Sequence, residues 1–175
     1  PAPRSGVAVT GAFPMGFYIT RPCGGRGLSL AEVLREHAAA RINVAHNSDF
    51  EDWPEHTTRY QEINSNATAS AYIDEASRCG IGPLIGFDRM MVLKGNLAGI
   101  RERVAALKDR PGLFGWYLMD EPTLQGATPE TMLRAYRTVK ELDRSHPVVM
   151  TLCDPGRIHE YANCTDVILV DRYPV

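Results

Sequence analysis

Paired cysteines, long apolar runs and blocks of like charge are all missing from this sequence. Cys23, Cys79, Cys153 and Cys164 are widely spaced and form no CxxC pair, which argues against a structural zinc site or a thiol redox motif. A disulfide between Cys153 and Cys164 stays open at this level, because sequence alone does not bring two Cβ atoms within bonding reach. The longest apolar runs, Val167 to Val170 and Ile81 to Phe87, fall far short of the roughly 20 residues that a membrane-spanning helix needs. Lys and Arg (19 residues) nearly balance Asp and Glu (21 residues), for a formal charge of -2 with no basic cluster. Neither nucleic acid nor an anionic membrane surface is therefore an expected partner.

What is there suits a globular domain: 175 residues, 44% hydrophobic and 23% charged, enough for one sizeable core. The first residue is proline, so a leader peptide is neither visible nor excluded. Localisation is left open, with a secreted or periplasmic setting as one option. Pro1, Pro3 and Gly6 mark residues 1–12 as an arm or linker, and residues 13–175 read as one domain.

Within that domain short apolar segments alternate with capped helices. Phe13 to Ile19 reads as a strand, and Ser29-Leu30-Ala31-Glu32 is a capping box for a helix to about Ala40. Ile42 to Ala45 is a second strand, opening into a long polar loop that holds His46, Asn47, Trp53 and His56. A helix closed by Gly80 leads to the strand Ile81 to Phe87, and a helix from about Asn96 leads to the strand Leu113 to Met119. Thr128-Pro129 opens the next helix, Pro147 to Leu152 is the fifth strand, Asp154-Pro155 caps a short helix, and Val167 to Val170 is the sixth strand. Strands and helices alternating in this way imply parallel strands joined by right-handed crossovers.

Two α/β architectures fit that alternation. A doubly wound sheet calls for a glycine-rich phosphate turn, but Gly24-Gly25-Arg26-Gly27 lacks the GxGxxG spacing. A (β/α) barrel places its chemistry at the carboxyl ends of the strands. Polar residues gather at just those places: His46 and Asn47, Asp88 and Arg89, Asp120 and Glu121, Asp154, and Asp171, Arg172 and Tyr173. The expected fold is a partial TIM (β/α) barrel of about six of its eight strands.

Gly115-Trp116-Tyr117-Leu118-Met119-Asp120-Glu121-Pro122 is the most informative stretch. Its apolar run ends in two carboxylates and then a proline, which has no amide hydrogen with which to extend the strand. Neighbouring strand residues face opposite ways, so Asp120 and Glu121 reach one substrate only if the backbone turns there. Trp116, inside the strand, reads as core.

A fourth strand ending in an amide or acid residue, then Glu, then Pro resembles clan A of the glycoside hydrolases, and residues 142–147 and 166–174 resemble the same group. The resemblance implies that Glu121 is a general acid/base and that Asp120 stands where the family's Asn touches the sugar 2-hydroxyl. It also implies a retaining, two-carboxylate cleavage of an oligo- or polysaccharide that needs no cofactor, with the nucleophile on a strand beyond Val175. His46, Asn47, Trp53 and Tyr173 are the further candidates for sugar contact. Two other readings stay open: a metal-dependent barrel hydrolase with His46, Glu121 and Asp171 around a divalent ion, and a non-catalytic carbohydrate-binding barrel.

Overall fold

The computed structural model describes residues 14–19, 29–47 and 65–172. The N-terminal arm, Trp53 and Tyr173 lie outside the described residues. The elements run in the order β1 (Gly16–Ile19), α1 (Leu30–Ala39), β2 (Val44–Asn47), α2 (Asn66–Arg78), β3 (Gly82–Gly86), α3 (Arg89–Leu93), α4 (Leu97–Leu107), β4 (Gly115–Asp120), α5 (Pro129–Leu142) and β5 (Val148–Leu152). A 3-10 turn (Pro155–Arg157), α6 (Ile158–Tyr161) and β6 (Val167–Val170) complete them.

Every helix described except the short α6 begins where a side chain takes up an orphan amide. Ser29 Oγ accepts from the Glu32 amide while Glu32 Oε2 accepts from the Ser29 amide, so the capping box forms as expected. Ser65, Asn96 and Thr128 cap α2, α4 and α5 in the same manner, the last with Pro129 in the first turn. Among the described residues no helix is long and apolar enough to cross a membrane.

All six strands pair in parallel, in the order β1-β2-β3-β4-β5-β6. A doubly wound sheet would reverse its order part-way across; strictly sequential neighbours with helical crossovers make the wall of a (β/α) barrel, here in part. Alternate strand residues face its two sides. Trp116, Leu118, Ile85, Val148 and Met150 pack under the helices against such residues as Ile73, Val104 and Val139. Val44, Leu84, Tyr117 and Val149 form a second, smaller cluster on the inner side, with Phe114 against it. That inner face lines a cavity of about 280 Å³ reached by His46, Leu84, Tyr117 and Leu169. A Cβ on Gly115 would lie 2.6 Å from the Pro147 carbonyl oxygen, so only glycine fits where β4 enters the inner wall. Val167 and Leu169 of β6 stay 42% and 39% exposed, as apolar residues at the side where the sheet stops.

Several strand ends differ from the sequence reading by up to three residues, and two departures bear on the site. The second strand begins at Val44 rather than Ile42, because Arg41 takes a left-handed turn (φ 63°) and the Ile42 amide bonds back to His37 O at 3.0 Å, finishing α1. His46 and Asn47 thus lie within the strand and not in the loop beyond it. The short helix α3 was not expected; it forms because Asp88 Oδ1 accepts from the Met91 amide at 2.8 Å. Cys79, Cys153 and Cys164 are free thiols, so the Cys153–Cys164 disulfide is not formed.

The end of the sheet where β4 and β5 start is tied by a buried acid. Asp143 Oδ2 accepts from Trp116 Nε1 at 2.9 Å and lies 2.7 Å from His146 Nδ1, while Oδ1 accepts the amides of Ser145 and His146. Burial by itself would push this carboxyl up, but the hydrogen bonds from His146 and Trp116 outweigh it and hold the group at about 2. A depressed folded-state value stabilises the fold above the ordinary Asp range and is lost as pH falls from about 4 towards 2. Urea unfolding of the Asp143→Asn variant should accordingly run about 2 kcal/mol below the native chain at pH 7, with the gap closing by pH 2. A gap that stays constant between pH 5 and 2 would show that the carboxylate charge is not what Asp143 contributes.

Candidate active site

The carboxyl end of β4 departs from regular strand geometry. Trp116 and Tyr117 face Val148 and Val149 on β5, but the next matched pair is Asp120 with Thr151, so β4 carries one residue more than its partner. That bulge places Tyr117 and Asp120, three apart, on the same inner side, whereas an unbroken strand would set them on opposite sides. The phenol of Tyr117 bonds to Asp120 Oδ1 at 2.9 Å and to Thr151 Oγ1 at 2.5 Å. A phenol has one proton; the carboxylate is the stronger acceptor, so Tyr117 donates to Asp120 and Thr151 donates to Tyr117.

One residue later the chain turns. Glu121 has φ 42°, in the left-handed region that side-chain-bearing residues rarely occupy. Its backbone is pinned on both sides: its amide donates to Thr151 O at 3.1 Å, and its carbonyl accepts from Leu124 and Gln125 at 2.9 and 3.2 Å. Pro122 then keeps the chain from running on as strand. The strand ends at Asp120, so the alternation of strand faces does not extend to Glu121. Glu121 is half-buried at the rim.

The other expected residues divide sharply. His46 is 3% exposed and stacks on the Tyr117 ring, centroids 3.9 Å apart and planes 24° off parallel, so it is part of the inner wall beside Asp120. Its Nδ1 lies 3.4 Å from Leu84 O. Asn47 is equally buried, in register with Ile19 of β1. Trp116 is core, as expected. Asp88 and Asp154 are helix caps, Asp154 Oδ1 accepting from the Gly156 amide at 2.9 Å. Arg89 reaches from the end of β3 to Gln125 in the loop after Glu121, at 2.9 Å. Among the described residues no three His, Cys, Asp or Glu side chains are grouped as metal ligands, and His46, Glu121 and Asp171 do not converge.

Sequence reading missed Tyr117 and Thr151. Both look like ordinary strand residues, and only the extra residue in β4 turns one towards the acid. No periodicity signals a bulge in advance.

No protein-family model and no curated protein matches the chain. Its fold does match solved structures. A β-galacturonidase of family GH2 from Eisenbergiella tayi superposes with TM-score 0.59 at 17% identity, over 91% of this chain and 28% of that one. An exo-β-1,4-mannosidase from Opitutaceae bacterium strain TAV5 gives 0.52 at 16%, over 78% and 31%. A GH5_18 protein from Streptomyces cattleya, in complex with GlcNAc, gives 0.54 at 14%, over 79% and 44%. At these identities the likeness is one of fold, a partial (β/α) barrel. This chain spans 28%, 31% and 44% of those three structures' own lengths.

The left-handed turn makes a prediction about stability. A Cβ at residue 121 costs about 1–2 kcal/mol that glycine escapes, against about 0.4–1 kcal/mol of extra unfolded-chain entropy for glycine. Glu121→Gly should therefore be more stable than Glu121→Ala by up to about 1.6 kcal/mol in thermal unfolding. Glycine the less stable of the two would mean that residue 121 is not held left-handed.

Proposed function

We propose that this chain is the catalytic-acid half of a retaining glycosidase acting on an oligo- or polysaccharide. Glu121 protonates the departing glycosidic oxygen and then, as a carboxylate, draws a proton from the water that releases the sugar. Asp120, an acceptor on both oxygens when ionised, takes a hydrogen bond from a ring hydroxyl. The attacking nucleophile is a second carboxylate about 5 Å from Glu121, carried by a strand later in the barrel, past Val175.

The observation that carries the reading is the left-handed turn at Glu121 directly after the bulge. A strained non-glycine residue beside a second acid at a strand's carboxyl end is more easily understood as serving a site than as serving the fold. The glycosidase character of the matched structures supports the same reading at the level of architecture. His46 flanks the site from β2 as wall, whereas Asn47, one residue on, falls to the opposite side of the strand; Trp53 remains the proposed platform for a sugar face, and Tyr173 a proposed residue lining the site or orienting the nucleophile.

Leaving-group dependence tests the acid directly. In the full-length protein, Glu121→Gln should lower hydrolysis of glycosides with poor leaving groups by about 100-fold or more, while the first step on activated aryl glycosides, which need no protonation, is spared. Equal loss on both substrate types would remove Glu121 from the acid role.

A further inference from the structure

The acid/base scheme leaves one buried polar assembly unused. Tyr117 has no exposed surface and Thr151 has 2%, yet their hydroxyls meet each other and then the Asp120 carboxylate inside an otherwise apolar inner wall of Val44, Leu84 and Val149. Polar groups in such a place cost free energy unless each finds a partner, so the assembly is either fold-specifying or aimed at the acid it ends on. Its geometry favours the second. Tyr117 and Asp120 meet only because β4 carries its extra residue, and a plain strand pairing would have satisfied the backbone without it. Thr151 serves the two acids by separate atoms: its hydroxyl supports the Tyr117 phenol, and its carbonyl accepts the Glu121 amide.

On the glycosidase reading given above, we infer that Tyr117 and Thr151 are positioning residues that aim the Asp120 carboxylate at a substrate hydroxyl. With Oδ1 held by the Tyr117 phenol, the carboxyl group cannot rotate about its last bond without breaking a charge-assisted hydrogen bond. The plane of the acceptor is set before the sugar arrives. His46, stacked flat on the Tyr117 ring, prevents the phenol from tilting away. The ligand so selected is one that presents an O–H donor beside the bond being broken, and the contact is made by an oriented acceptor rather than by charge alone.

The test compares a glycoside with its 2-deoxy counterpart in the full-length protein, for the native chain and for Tyr117→Phe, Thr151→Val, Asp120→Ala, Tyr117→Phe/Asp120→Ala and Glu121→Gln, with thermal unfolding of each. Tyr117→Phe should lower kcat on the hydroxylated substrate about tenfold with KM within about twofold, and Thr151→Val about threefold. Both effects should shrink to under about twofold on the deoxy substrate and, for Tyr117→Phe, in the Asp120→Ala background. Loss of the same size on both substrates, loss undiminished without Asp120, or no loss at all overturns the inference; should Tyr117→Phe fail to fold, Thr151→Val decides on the substrate comparison. The glycosidase reading fails by a different outcome, native-like rates for Glu121→Gln on poor leaving groups. A native protein that hydrolyses neither substrate overturns both.

Discussion

The junction between the ends of β4 and β5 rests on a single residue of the neighbouring strand. Thr151 stands opposite Asp120, gives its carbonyl to the Glu121 amide and its hydroxyl to the Tyr117 phenol. Through those three relations it receives a strand one residue longer than its partner and still satisfies the backbone at the turn. A strained φ at a side-chain-bearing residue persists only where its surroundings over-determine it. Here they do: the Glu121 amide and carbonyl are both bonded, and Pro122 follows. The backbone that carries the two acids is therefore fixed on both sides of the turn.

The architecture was legible because it follows from periodicity and punctuation. Ser29, Thr128 with Pro129, and Gly80 announced helix ends by the chemistry of their side chains or by the lack of one, and the helices formed there. The apolar segments between them became strands, in sequential order. What could not be read was any feature depending on pairing across strands. The shift of the second strand came from a left-handed Arg41, and the approach of Tyr117 to Asp120 came from a bulge; neither leaves a mark on a single sequence. His46 shows the consequence: read as the start of a polar loop, it is a buried ring stacked on a phenol.

Two ordinary explanations won elsewhere on the rim. Asp88 and Asp154, both at strand ends, cap the short helices that follow them, so an acid in that position is not by itself a functional signal. Asp120 and Glu121 differ from them in backbone: Asp120 follows a bulge that brings it to the Tyr117 phenol, and Glu121 is left-handed at φ 42°. The opposite end of the sheet follows a different logic. There Asp143 collects an indole, an imidazole and two amides and is fully engaged in holding the fold. In (β/α) barrels the amino end of the strands serves stability, and Asp143 stands at that end here. Val167 and Leu169 leave the β6 edge apolar and line the inner cavity beside it.

The central claim is spatial: residues 120 and 121, adjacent in sequence, serve one ligand. A crystal structure of the full-length protein with a bound oligosaccharide measures it directly. The account predicts an Asp120 oxygen within about 3 Å of a ring hydroxyl and a Glu121 oxygen within about 3 Å of the neighbouring glycosidic oxygen. A sugar seated against only one of the two carboxylates, or Glu121 turned away beneath the loop of residues 122–127, would contradict it.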